Sequence, residues 1–215
     1  MYKIDKILIG THNKGKFKEI SDLLPQKVEK ISPNDLGIDS PKEDGKTFLE
    51  NSELKANFFC ERSKLLTLSD DSGLEIECLN NEPGIHSSRF AEQFGGFHNA
   101  MVEILKLVNK NVKKNTKAKF VCVLTIQWPN GKKISETGEI SGNISAIKGN
   151  NGFGYDPIFI PLGHSQTFGE MNYKKKLLID HRYKAYKKLE SKIKDYFWQI
   201  YYLPVYKFEV FGWFC

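Results

Sequence analysis

The opening stretch from Ile4 to Ile9 is apolar enough for a short strand. It runs directly into Gly10-Thr11-His12-Asn13-Lys14-Gly15-Lys16 before apolar residues return at Phe17, Ile20, Leu23 and Leu24. That return follows helical spacing, so the chain begins as strand, polar loop, helix. Thr47 with Glu50 three residues on is a capping box, and predicts a second helix to about Lys64. Leu65 to Leu68 reads as a short buried strand ending in the turn Ser69-Asp70-Asp71-Ser72-Gly73, with another strand from Leu74 to Leu79. The acidic pair is therefore expected between strands. Turn residues follow at Asn80 to Gly84, and a third helix is expected from Ala100 to Val108. A lysine- and asparagine-rich connector leads to Phe120–Trp128 and Lys133–Gly142, which flank Pro129-Asn130-Gly131 as a β-hairpin. A glycine-rich loop, Gly149 to Pro157, precedes Ile158-Phe159-Ile160, and Tyr173 to about Lys194 has helix composition. Helices and strands mix without strict βαβ regularity. The expected fold is α/β with a mixed, twisted sheet.

Composition removes several classes. The chain has 215 residues, which argues for one domain or a domain with a small lobe, and its 40% hydrophobic and 27% charged residues are ordinary for a globular protein. Apolar runs such as Phe120 to Ile126 fall far short of the roughly 20 residues of a membrane helix, and Ile7-Leu8-Ile9 among charges is no signal-peptide core. A cytoplasmic protein is the expectation. Cys60, Cys78, Cys122 and Cys215 lie far apart without zinc spacing, so reduced thiols are expected. A net charge of +6 suits a polyanionic ligand, nucleotide or nucleic acid, though lysine runs such as Lys174-Lys175-Lys176 are equally the mark of a solvated face. The aromatic stretch from Tyr196 to Cys215 reads as a strand or packed tail, set apart from a domain spanning residues 1–195.

Some residues have the chemistry for a site. The loop Thr11 to Lys16 offers N–H groups, a hydroxyl, an amide and an ammonium at a helix start, where an anion is favoured and a triphosphate would fit. Asp70 and Asp71 are neighbours on extended chain, so one carboxylate can face a site while the other is held by the scaffold. With Glu43 they are hard oxygen donors of the kind Mg²⁺ takes, although Asp-Asp-Ser-Gly is also plain turn sequence. In Gly152-Phe153-Gly154-Tyr155-Asp156-Pro157 the glycines allow close backbone approach, Phe153 offers a stacking face and Asp156 can accept from a base N–H. Lys176, His181 and Arg182 supply donors for carbonyl or phosphate oxygens, or else form a solvated basic face.

Taken in order, these blocks resemble the inosine triphosphate pyrophosphatase family. They are Thr11-x-Asn13-x-x-Lys16, Glu43-x-Gly45-x-Thr47-Phe48-x-Glu50-Asn51 with Lys55-Ala56, and Asp70-Asp71-Ser72-Gly73-Leu74. Pro83-Gly84-Ile85-x-Ser87-x-Arg89-Phe90, Gly152 to Phe159, and Lys176 with His181-Arg182 complete the set, over roughly residues 4 to 194. The resemblance implies a two-lobed α/β fold with a long mixed central sheet, flanking helices and a nucleotide cleft between lobes. It implies hydrolysis of non-standard purine nucleoside triphosphates (ITP, dITP, XTP) to the monophosphate and pyrophosphate, with Mg²⁺ as cofactor and a homodimer as the assembly. The phosphates would lie on the loop containing Thr11, His12, Asn13, Lys14, Gly15 and Lys16. Glu43 and Asp71 would hold metal, Asp71 would also activate water, and Ser72 would lie beside the ligand. Phe153, Gly154, Tyr155 and Asp156 would meet the purine with Lys176, His181 and Arg182. One departure is Asp180, where the family usually has Ser. A non-catalytic basic nucleic-acid-binding module is the competing expectation, disfavoured because three acids would lie in its groove. Neither a membrane nor a stable nucleic-acid partner is expected.

Overall fold

The computed structural model describes residues 5–111 and 115–201. Ile4, part of the lysine-rich connector, residues 202–215 and with them Cys215 lie outside the described residues. Strands β1 (Lys6–Ile9), β2 (Glu29–Ile31), β3 (Thr67–Ile76), β4 (Lys117–Gln127), β5 (Lys133–Ile144) and β6 (Phe159–Pro161) form one sheet in the order β2-β1-β3-β4-β5-β6. β1 runs parallel to β2 and β3, and the other pairings are antiparallel, so the sheet is mixed as expected. The helices are α1 (Lys14–Leu23), α2 (Phe48–Ser63), α3 (Ser87–Gln93), α4 (Phe97–Lys110), α5 (Tyr173–Leu177) and α6 (His181–Tyr201). None of the described helices is long and apolar enough to cross a membrane.

Local chemistry accounts for the element ends. The Asn13 side chain accepts the Lys16 N–H at 3.0 Å and starts α1. Thr47 accepts the Glu50 N–H at 3.1 Å, but the Glu50 carboxylate takes the N–H of Lys46 instead of the cap's own, so only half of the expected capping box forms. The expected hairpin is present, with Thr125 opposite Ser135 and Gln127 opposite Lys133.

Several expectations need correction. β3 is one continuous strand from Thr67 to Ile76, so Ser69 to Gly73 makes no turn and the acidic pair lies inside a strand. Its polar side chains find partners on the helices above and below, which removes the need to turn towards water. The helix expected from Tyr173 to Lys194 is two helices, because the Asp180 carboxylate accepts the Tyr183 N–H at 2.8 Å and caps α6 as a separate start. Residues 196–201 continue α6 where a strand or packed tail was expected. Strand β2 and helix α3 carry too few periodic residues to have been anticipated.

The apolar core is divided along the long strands. One cluster gathers Ile7, Ile9 and Ile20 with Leu68, Cys122, Leu124 and Ile126, and with Ala185 and Leu189 of α6. A second gathers Leu74, Ile76, Phe120, Ile104, Phe159 and Phe168. These two cores are the two lobes, with β3, β4 and β5 running through both. Helix α6 lies directly on β5 at Gly138, where a Cβ would run into the backbone of His181 and Ala185. Gly138→Ala is expected to cost about 1–3 kcal/mol by overpacking. Urea unfolding measures it, and an unchanged midpoint would mean that the helix does not seat there.

Candidate functional site

On one face of β3 the side chains run Leu68, Asp70, Ser72, Leu74, Ile76, opposite Ile126, Leu124, Cys122, Phe120 and Ala118 of β4. Asp70 and Ser72 therefore occupy the seam between the two cores. β1 pairs with β3 only through Leu8–Thr67 and Ile9–Leu68, so from Ser69 onward that edge of β3 lies open beside the loop that leaves β1. A cleft forms there. It is lined by all the sequence-predicted site residues except Lys14 and Gly15. The Lys14 side chain is exposed on α1, while Gly15 lies against the Phe153 ring, close enough that a Cβ would meet it.

Three regions make up the cleft. At the first, the loop before α1 lines the cleft with Thr11, His12 and Asn13, followed by Lys16 of the helix itself. The His12 ring hydrogen-bonds the Ile38 carbonyl at 3.0 Å and the Ser40 hydroxyl at 2.7 Å, tying this loop to the segment that carries Glu43. At the second, Lys55 of α2 reaches Asp71 Oδ1 at 2.8 Å and Glu43 Oε1 at 3.1 Å. Asn51 donates to Asp71 Oδ2 at 3.3 Å and accepts the Gly45 N–H, so one amide orients both the strand acid and the Glu43 loop. Burial raises the Asp71 carboxyl against the pull of Lys55 and Lys16. Burial would lower Lys55, but Asp71, Asp70 and Glu43 push it up to about 12.

The third region is buried. Lys176, His181 and Arg182 are 2%, 4% and 1% exposed, which rules out the solvated basic face. Lys176 pairs with Glu19 at 2.7 Å and with Asp156 at 2.6 Å, and Arg182 pairs with Glu19 and with Asp70, the latter at 3.2 Å. Asp70 also pairs with Lys16 at 3.2 Å. Burial acts to raise the Asp70 carboxyl, and Lys16, Arg182 and Lys55 override it and hold it well below the usual range. Asp156 Oδ2 also accepts the Phe153 N–H at 2.9 Å, which fixes the glycine-rich loop, and Lys176 Nζ lies 4.8 Å from the Phe153 ring centre. Tyr155 donates to the Ser87 carbonyl at 2.8 Å and packs edge-on against Phe97. His181 stacks on Phe120 at 4.8 Å, and burial followed by the nearby Arg182 keeps it neutral. His181 Nδ1 and Arg182 Nε are buried without a hydrogen-bond partner, an arrangement that calls for a ligand.

Glu19 and Lys55 are absent from the sequence-derived set of site residues, although Lys55 lies in one of the quoted blocks. A spacing signal existed for both. Glu19 follows Lys16 by three positions on α1, and Lys55 follows Asn51 by four and Ser52 by three on the buried face of α2. Because Glu19 serves both Lys176 and Arg182, Glu19→Ala should cost about 3–5 kcal/mol, the price of leaving buried cations short of a partner. Urea unfolding tests this, and a loss under about 1 kcal/mol, the worth of an exposed pair, would contradict it.

The Ham1 family model matches residues 7–192. The dITP/XTP pyrophosphatase of Zymomonas mobilis is 40% identical over 187 residues, covering 86% of this chain and 90% of that protein. The dITP/XTP pyrophosphatase of Haemophilus influenzae is 41% identical over 192 residues, covering 87% and 98%. Among solved structures, the Ham1 protein of Staphylococcus aureus superposes with a TM-score of 0.77 at 30% identity, covering 88% of this chain and 98% of that one. With a fold, a matched span and relatives that agree, this chain belongs to the Ham1 family.

Proposed function

We propose that the protein hydrolyses non-standard purine nucleoside triphosphates (dITP, ITP and XTP) to the nucleoside monophosphate and pyrophosphate. The observation that carries this is the set of groups gathered in one cleft. The N-terminus of α1 with Lys16, the acids Asp71 and Glu43 held by Lys55, and Phe153 with the buried donors Lys176, His181 and Arg182 all line it, and Asp70 joins Lys16 to Arg182 behind it. Relatives at about 40% identity that are named dITP/XTP pyrophosphatase support the reading. Burial of Lys176 and Arg182 removes them from any backbone-binding face and weighs against a nucleic-acid module.

Mg²⁺ belongs to this proposal. Glu43 and Asp71 are hard oxygen donors drawn to the same ammonium, so they lie close together. No cluster of three or more His, Cys, Asp or Glu among the described residues is arranged for a metal, so substrate phosphates and water would have to complete the shell, as Mg²⁺ prefers. Bound there, the ion would offset triphosphate charge and polarise the α-phosphorus. The α1 N-terminus and Lys16 position the phosphates, and Asp71, whose affinity for a proton burial has raised, orients and deprotonates the attacking water. Lys55 holds Asp71 and Glu43 in place. Phe153 stacks on the purine while Arg182 and His181 donate to O6 of a 6-keto ring. A homodimer and a cytoplasmic location complete the proposal.

The test is product analysis with dITP and Mg²⁺. Deoxyinosine monophosphate and pyrophosphate are expected, and a diphosphate plus orthophosphate would overturn the mechanism. Asp71→Asn should lose at least about 100-fold in kcat, the scale of general-base catalysis, while keeping the wild-type fold as read by circular dichroism. Arg182→Ala should lower kcat/KM for ITP more than for ATP, narrowing the ratio by about one to two orders of magnitude, because a good bidentate base contact discriminates by about 1–3 kcal/mol. Equal loss on both substrates would assign Arg182 to structure and move base selection to Asp156 and Lys176.

A further inference from the structure

The buried pairs around the purine end contain three cations, Lys16, Lys176 and Arg182, and three acids, Glu19, Asp70 and Asp156, each acid in contact with at least one cation. Asp180 is a fourth acid, fully buried. Its Oδ1 caps α6 through the Tyr183 N–H, and its Oδ2 has no hydrogen-bond partner. The charged and titratable groups that act on it come from four elements: Glu19 on α1, Tyr173 and Lys176 on α5, Cys122 on β4, and Arg182 on its own helix. His181, its neighbour, is held neutral and brings no charge to balance it.

We infer that Asp180 is a positioning residue whose proton keeps the purine end of the cleft charge-balanced, so that nucleotide binding weakens when that proton is lost. With the proton in place, Lys176 and Arg182 face three acids and keep their orientation towards the ring. Without it, a fourth negative charge competes for both of them inside a region shielded from water. Burial, reinforced by Glu19, pushes the Asp180 carboxyl up to about 7 against the pull of Arg182 and Lys176, which places the change within the working pH range. A carboxyl raised in this way stabilises the folded chain at low pH, and the contribution is lost as pH rises through its folded value.

The binding part of this inference rests on the purine nucleotide reading above. The experiment compares wild type with Asp180→Ser and Asp180→Asn, both of which keep a side-chain oxygen to cap α6. The wild-type KM for dITP, relative to that of either variant, should rise between about pH 6 and pH 8, about tenfold if only the protonated form binds. Dividing wild type by variant cancels ionisation of the nucleotide itself, and kcat should show no matching inflection. Without nucleotide, the variants should gain in Tm over wild type as pH rises across the same range. Parallel KM profiles in active enzymes, or a Tm difference that does not change with pH, would overturn the inference while leaving the hydrolase reading intact. Failure of wild type to hydrolyse dITP at any pH would instead overturn the hydrolase reading and the binding claim together, with the Tm series still deciding where the proton resides.

Discussion

Asp70 is buried at the seam of two apolar cores, and a carboxylate in that position is tolerable only because Lys16 and Arg182 meet it there. Those two cations come from opposite ends of the sequence, one from the first turn of α1 and one from the first turn of α6. The pair therefore fastens the N-terminal strand-loop-helix unit and the C-terminal helix to the middle of β3. Glu19 extends the fastening to Lys176, and Lys176 extends it to Asp156 and the glycine-rich loop. The end of the cleft proposed to take the purine is thus built from charges that hold one another in fixed positions, which is the condition under which electrostatic recognition is strongest.

Adjacent residues on one strand divide the work. Asp70 faces α1 and α6 and is held ionised, as an anchor must be. Asp71 points to the other face, towards α2, where burial raises its affinity for a proton and Lys55 and Asn51 set its orientation. The short β1 makes this division useful, because its early end leaves the edge of β3 open at the point where both faces can be reached.

The same strand shows why part of the structure was hidden in the sequence. Ser69-Asp70-Asp71-Ser72-Gly73 has the composition of a turn, and only the tertiary partners of its side chains keep it extended. Composition alone left Lys176 and Arg182 open between a ligand site and a solvated face, because their burial depends on acids far away in the chain. What was legible relied on local rules: the helix start at Thr47, the strand-loop-helix order at the N-terminus, and the hairpin about Pro129-Asn130-Gly131. Asp180 lies between these cases. As an N-cap type it could have marked the break between α5 and α6 that the sequence reading passed over, whereas its surplus charge follows from a cluster assembled across four elements.

In the proposed mechanism this cleft directs water to the α-phosphorus. Hydrolysis of dITP in water enriched in heavy oxygen, followed by mass spectrometry of both products, tests that most directly. The heavy oxygen should appear in the deoxyinosine monophosphate and be absent from the pyrophosphate. Its appearance in pyrophosphate would place the attack at the β-phosphorus and contradict the roles proposed for Lys16, Asp71 and Glu43.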